Sequence, residues 1–303
     1  MDLTEAARLI REGRLVAFPT ETVYGLGANA LDPAAVERIF QAKGRPSTSP
    51  LIVHVDSTGM ARGLVREWPE AAEILARRYW PGPLTLVLPK DPRIPDIVTA
   101  GLDTVGLRMP AHPVALELIR AAGVPVAAPS ANRFTELSPT TAEHVRRSLG
   151  DAVDLILDAG PTTVGLESTV LSLAGTPELL RPGMVTREEI ESLIGPVGYC
   201  GEAAPGAHRS PGLHRKHYSP KTRLIVAAGG ELPAAGRGAY LWLTKPSEAA
   251  ACIEMPRQAR LYAARLYRVL HDLDAGGFDW IAVERPPQGA EWAAVNDRLR
   301  RMT

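Results

Sequence analysis

Two cysteines in 303 residues, Cys200 and Cys252, are too few for a disulfide framework, and their separation fits no metal-ligand spacing. Such usage suits a reducing compartment. Neither sign of charge is in excess, since 34 basic residues balance 34 acidic ones. A chain that grips nucleic acid over a broad face carries a basic surplus, so a standing polyanion partner is not indicated; a local basic pocket for a small phosphate compound stays open. Aromatics, at 5%, leave little material for a base-stacking surface. No run approaches the roughly 18 apolar residues of a membrane-crossing helix. The N-terminal MDLTEAARLIREGR carries acidic residues and no apolar stretch, unlike a signal peptide. Near-absence of asparagine and glutamine beside abundant Ala, Arg and Pro suits a GC-rich, heat-loving source. These absences together lead us to expect a soluble cytoplasmic protein.

What is present is an ordinary globular balance of 45% hydrophobic and 22% charged residues, at a length comfortable for two domains. Helix and strand patterns alternate from the start. Residues 4–12 read as an amphipathic helix ended by Gly13, and Leu15–Phe18 as a buried strand stopped by Pro19. Asp32-Pro33 supplies an N-cap and a first-turn proline for a helix to about Ala42. Strands are expected at Leu51–Val55, Leu84–Leu88, Thr104–Met109, Pro125–Ala128, Leu155–Leu157, Ser168–Leu173 and Glu178–Leu180. Helices fall at Pro69–Tyr79, Pro113–Ala122, Thr141–Leu149 and Thr186–Ile194. Residues 1–195 therefore read as one α/β domain with a sizeable sheet. Residues 196–222, rich in Gly, Pro, Ala and His, read as a linker or lid. Residues 223–303 form a smaller, Rossmann-like α/β unit without the G-x-G-x-x-G turn of a dinucleotide site.

Polar residues gather at strand ends and tight turns of the first domain, where α/β folds place ligands. Pro19-Thr20-Glu21-Thr22 follows a buried strand and reads equally well as a plain turn. Lys43 and Arg45, one residue apart, close a helix; the helix dipole favours cations there, and so would a triphosphate. His54, inside a strand pattern, is more often structural than a ligand. Arg108 ends an apolar strand, where burial demands an anion, either a bound carboxylate or an internal acid. Small residues around Ser130 and Asn132, the Gly165–Val170 turn and Arg181 repeat the pattern. No Ser-His-Asp, Cys-His or metal-ligand set appears. The collection suits an anionic nucleotide and a small acid, with catalysis by positioning and charge stabilisation.

PTETVYGLG (19–27), KGRP (43–46), PLIVHV (50–55), WPGPLTLVL (80–88), VGLRMPAHP (105–113), VAAPSAN (126–132), LSPTTA (137–142), GLESTV (165–170) and LRPG (180–183) together resemble the YrdC-type threonylcarbamoyl-adenylate synthase family. SPGLHRKHYSPKT (210–222) resembles the linker of its longer, two-domain members, and residues 259–274 and 297–302 resemble their C-terminal domain. The resemblance implies a twisted mixed sheet whose concave face holds ATP and threonine. It implies a catalytic set in Lys43, Arg45, Ser130 and Asn132, the family's KxR and SxN pairs. Thr20, His54, Arg108 and Ser168 fall at threonine-contacting positions. Ser49, Thr104, Ser138 and Arg181 fall at nucleotide-contacting ones beside the catalytic four, and Tyr218 is expected to fold back over the nucleotide. Ser49 replaces the family's usual Asn, which alters one nucleotide contact. Phe134-Thr135-Glu136, after Arg133, departs from the usual SAN-x-SG continuation and makes that loop bulkier.

The implied reaction joins L-threonine and bicarbonate as a carbamate, whose oxygen attacks the α-phosphate of ATP and expels pyrophosphate. Lys43, Arg45 and a Mg2+ ion are the implied charge stabilisers. The product feeds threonylcarbamoyladenosine formation in tRNA through a downstream transfer machinery, with no tRNA contact required for this step. Rival readings are a related carbamoyltransferase, whose larger chains carry zinc-finger cysteines absent here, and a double-stranded-RNA or nucleotide-binding module, which the zero net charge disfavours.

Overall fold

The computed structural model describes residues 2–200, 218–227 and 231–303. Ten strands build one mixed sheet: β1 (Val16–Phe18), β2 (Gly25–Asn29), β3 (Ile52–His54), β4 (Leu84–Pro89), β5 (Thr104–Arg108), β6 (Val126–Ala127), β7 (Leu155–Ile156), β8 (Thr169–Ser172), β9 (Glu178–Arg181) and β10 (Gly198–Tyr199). Their order is β10-β9-β8-β4-β5-β3-β6-β2-β1-β7. Parallel pairs such as β3/β5 and β4/β8 alternate with antiparallel ones such as β4/β5 and β3/β6. Four further strands, β11 (Arg223–Ala227), β12 (Gly238–Trp242), β13 (Ala251–Glu254) and β14 (Trp280–Glu284), form a separate parallel sheet in the order β11-β14-β12-β13. The expected α/β class, with a mixed sheet and a smaller second unit, is what the chain adopts.

Local chemistry explains the element ends. Asp32 accepts hydrogen bonds from the amides of Ala34 and Ala35, Pro33 opens the helix Pro33–Lys43, and Gly44 closes it in the left-handed region at φ 61°. Thr186 and Glu189 complete a capping box on Arg187–Ile194. One strand escapes the sequence pattern. Gly25-Leu26-Gly27, where no strand is expected, is the start of β2, antiparallel to β1. A side chain at Gly27 would sit 2.7 Å from the Phe18 ring and 2.9 Å from Val126, so glycine here admits neighbours and does not mark a turn. Gly198–Tyr199, read as linker, pairs in parallel with β9.

The sheet is dressed differently on its two faces, following the two-residue period of a strand. Val53, Leu84, Leu86, Leu88, Val105, Leu107 and Leu171 join the main core with helices Pro33–Lys43 and Glu70–Tyr79. Alternate residues of β1 and β6, Val16, Phe18 and Val126, pack on the other face against helices Leu3–Arg11 and Pro113–Ala122. The rest of that second face carries Ile52, His54, Val87 and Arg108 on β3, β4 and β5. Of these, Ile52, His54 and Arg108 line the cleft described below, and Ile52 and Val87 pack with Val170 and Leu180.

The second unit docks on the first partly through a stacked histidine pair. His144, on helix Ala142–Leu149, lies 3.8 Å in ring-centroid distance and 24° in plane from His271, on helix Ala259–Asp274. His271 Nε2 lies 3.0 Å from the Ser138 carbonyl. Burial holds His144 near pH 3, with His271, Arg147 and Arg268 adding to the effect, and burial also lowers His271. Both rings are therefore neutral at pH 7. Below the ordinary value of 6.5 the unfolded chain binds protons that the folded one refuses. Stability is thus intact above about pH 6.5 and is lost as pH falls toward 3. Scanning calorimetry between pH 7 and 5 should show a falling unfolding temperature, and the fall should flatten in the His144→Gln/His271→Gln variant. Parallel pH slopes in the two proteins would remove the pair from this role.

Candidate active site

The turn after β1, the ends of β3 and β5, the segment after β6 and the β8–β9 edge converge on one cleft, part of it open to solvent. Thr20, Arg45, His54, Arg108, Ser130, Ser168, Arg181 and Tyr218, all expected at the site, line it together.

At one end, Thr20 builds its own turn: its hydroxyl donates to the Val23 carbonyl at 2.7 Å and accepts from the amides of Thr22 and Val23. His54 and Arg108 are Cα partners in the parallel β3/β5 ladder, so their side chains share a face. Arg108 donates through Nη2 to Glu21 Oε1 at 2.7 Å and through Nε to the Gly82 carbonyl at 3.2 Å. The internal acid that a buried arginine needs is therefore Glu21, which also accepts the amide of Ala111. Arg108 Nη1 makes no hydrogen bond among the described residues. Burial, then the Arg108 charge, lowers His54 to about pH 3, so its imidazole is neutral, and its Nδ1 is buried without a partner among the described residues. Ser168 Oγ sits 2.8 Å from Thr85 Oγ1 and accepts from Arg181 Nη2 at 3.2 Å. This end offers a guanidinium, a neutral ring nitrogen and hydroxyls, a set suited to a small zwitterion.

The other end is more positive. Arg45 Nη2 donates to Ser49 Oγ at 2.7 Å and to the Pro50 carbonyl at 3.0 Å, while its Nε is buried without a partner among the described residues. Burial lowers Arg45 to about pH 10; Tyr218 works against that shift and Arg181 adds to it, and the guanidinium stays charged at pH 7. Two like charges lining one cleft favour an entering anion. Tyr218, 2% exposed and at φ 63°, covers them, its hydroxyl 3.5 Å from Arg181 Nη1. Ser219 donates its amide to the Thr135 carbonyl at 2.9 Å, so the bulky 133–136 loop serves as the dock for the returning chain. Tyr218 also faces the second unit, with its ring 6.2 Å from that of Tyr267. The basic run His214-Arg215-Lys216-His217 lies outside the described residues.

Five expected residues do not line the cleft. Lys43 is buried, and its Nζ donates to the Ser130 carbonyl at 2.6 Å and to that of Asn132, so it pins the loop that presents Ser130. Asn132 braces the same loop, donating to the carbonyls of Arg133 and Glu136. Ser49 spends its hydroxyl on Arg45. Ser138 donates to Glu167 Oε1 at 2.5 Å. Thr104 opens β5, four residues from Arg108 and paired with Pro89. Two acids belong to the site that sequence reasoning did not assign: Glu21, beside Arg108, and Glu167, which lines the cleft. Each sits next to an assigned residue, Thr20 or Ser168. The signal was a buried arginine in need of an acid.

The comparisons with known proteins agree with this geometry. Residues 8–183 match the Sua5/YciO/YrdC family model, described as telomere recombination, and residues 185–302 match the threonylcarbamoyl-AMP synthase C-terminal domain model. The chain belongs to the Sua5/YciO/YrdC family. The threonylcarbamoyl-AMP synthase of Pyrococcus abyssi is 43% identical over 98% of this chain and 92% of its own length. That of Bacillus subtilis is 42% identical over 98% and 91%. The crystal structure of P. abyssi Sua5 complexed with L-threonine superposes with a TM-score of 0.92, at 42% identity, over 99% of this chain and 93% of that one. The likeness to these relatives extends through both units of the chain.

Proposed function

We infer that this chain is a threonylcarbamoyl-AMP synthase, which joins L-threonine, bicarbonate and ATP into threonylcarbamoyl-AMP and pyrophosphate. The observation that carries this reading is that one cleft brings together Arg108 and neutral His54 with the guanidinia of Arg45 and Arg181. Threonine's carboxylate goes to Arg108 and its hydroxyl to the Thr20–Ser168 side. The phosphates go to Arg45, Arg181 and the Ser130 loop. A carbamate formed on the threonine nitrogen from bicarbonate, with loss of water, then lies between them, where its oxygen attacks the α-phosphorus and pyrophosphate leaves. Cations held in place before the reaction stabilise the charge that builds on the phosphoryl oxygens. The proposed setting is the cytoplasm, and the product passes to a downstream transferase acting on tRNA.

Among the described residues no group of three His, Cys, Asp or Glu could hold a metal, and Glu21 and Glu167 are tied to arginines. These residues do not make a resident metal site. Magnesium is accordingly assigned to the ATP phosphates, as part of the substrate. No helix among the described residues is long and apolar enough to cross a membrane.

Pyrophosphate release that requires threonine, bicarbonate and ATP together tests the reading. Release with carbamoyl phosphate in place of threonine and bicarbonate would instead identify a carbamoyltransferase. Tyr218 gives a further expectation. Carbamate and adenylate are both labile in water, and this phenol covers the cleft. Tyr218→Ala should release threonylcarbamoyl-AMP to hydrolysis and raise the ATP KM by about tenfold, the worth of one buried aromatic contact. Unchanged coupling between ATP consumed and adenylate recovered would reduce Tyr218 to a packing residue.

A further inference from the structure

The second unit reaches the cleft through one buried charge. Helix Ala293–Met302 sends Val295, Leu299 and Met302 into that unit's core, and Arg298 stands on the same stripe, three residues after Val295. It is fully buried. Its Nε donates to Glu167 Oε2 at 2.7 Å, its Nη1 pairs with Asp297 Oδ2 at 2.7 Å, and its Cζ lies 5.3 Å from the centre of the Tyr218 ring. Nη2 has no hydrogen-bond partner among the described residues. A guanidinium buried with one nitrogen unsatisfied stabilises a fold no better than an apolar side chain of its size. Its position calls for another reason.

That reason lies with Glu167. This residue lines the cleft, accepts from Ser138 Oγ at 2.5 Å and from Tyr267 at 3.2 Å, and precedes Ser168. Burial pushes its carboxyl up, but Arg298 and then Arg181 outweigh that and hold it below the usual carboxylate range. An ionised carboxylate thus borders a cleft that, on the reading above, admits a triphosphate. Two guanidinia are near enough to offset it. Arg181 lines the cleft and is needed by the phosphates, whereas Arg298 is not among the lining residues.

We propose that Arg298 is a positioning residue for nucleotide binding: from the second unit it neutralises Glu167 and backs Tyr218, leaving Arg181 to the phosphates. The inference rests on the cleft being the ATP site. It gives the second unit a task at the cleft, because a first unit without Arg298 leaves Glu167 to draw on Arg181, the cation the phosphates need.

The test compares the full-length protein with Arg298→Met, Glu167→Gln and the double variant. Pyrophosphate release yields KM for ATP and for threonine, and calorimetry yields Kd for a non-hydrolysable ATP analogue. Arg298→Met should weaken ATP and analogue binding on the order of tenfold, the loss typical of a charged hydrogen bond, while the threonine KM moves by less than about twofold. Introduced beside Glu167→Gln, it should add little further loss, because the charge it compensates is gone. Equal losses in both backgrounds, or equal losses for ATP and threonine, would make Arg298 a packing residue and overturn the proposal. If Arg298→Met does not fold, Arg298→Gln with and without Glu167→Gln gives the same comparison, because it too removes the charge. A wild-type protein that neither releases pyrophosphate nor binds the analogue would overturn the functional reading and this inference with it. An active wild type with unaltered Arg298 variants overturns the inference alone.

Discussion

Arg108→Ala should raise the threonine requirement at least tenfold, and far more than the ATP requirement. On the proposed reading Arg108 has two tasks, one in the fold and one toward the substrate. Nε and Nη2 hold the Gly82 carbonyl and Glu21, which fixes the guanidinium plane. Nη1, without a hydrogen bond among the described residues, is the donor left for a substrate carboxylate, and a charge-assisted contact of that kind is worth about 1.5–3 kcal/mol. Removing the side chain also strands Glu21, which is 7% exposed, beside a single amide donor, that of Ala111. Breaking a buried pair from one side costs roughly 3–5 kcal/mol of stability. The two effects separate in the Arg108→Ala/Glu21→Gln variant. Unfolding temperature should recover, because the stranded charge is gone, while the threonine KM should stay raised. If threonine affinity recovers together with stability, Arg108 acts only through the fold.

The partition between what the sequence shows and what it hides follows physical lines. Elements with one strongly patterned face were legible: Pro33–Lys43 has its cap, its proline and its glycine stop, and the apolar runs of β3, β4 and β5 stand between turn residues. Strand β2 was not, because glycines that admit the Phe18 ring carry the same letters as glycines that turn a chain. Strand β13, Ala251–Glu254, is half exposed at a sheet edge and has no apolar run to announce it. In the site, residues whose side chains must meet a ligand were legible as strand-end polar residues and from family resemblance. Partners were not: that Arg108 meets Glu21 across 87 residues, or that Arg298 meets Glu167 across 131, depends on how the sheet closes and how the second unit docks. Arg298 did leave a trace, a charge at an apolar stripe position, which a helix tolerates only when the charge is paired.

Lys43→Met should be the more damaging of the two changes in the Lys43-Gly44-Arg45 segment, for a reason other than phosphate contact. Lys43 ends its helix, where the dipole alone would favour a cation, yet its amine turns inward and is 3% exposed with the residue as a whole. It donates to the carbonyls of Ser130 and Asn132, and its own carbonyl accepts the amide of Phe134 at 2.8 Å, so one residue staples the loop at three points. Burial, then the Arg45 charge, pushes the ammonium well below its ordinary range, and even a neutral amine keeps two N–H bonds for two carbonyls. Methionine fills the volume but leaves both carbonyls without a donor, at about 1–3 kcal/mol each. Ser130 then loses its place in the cleft, and a shift of that kind away from the reacting atoms costs on the order of a hundredfold in turnover. Lys43→Met should therefore lose both unfolding temperature and kcat. Arg45→Met, which lines the cleft, should mainly raise the ATP KM, by roughly ten- to a hundredfold. If Lys43→Met instead raises the ATP KM with its unfolding temperature and kcat intact, the amine leaves its carbonyls and acts on the triphosphate directly.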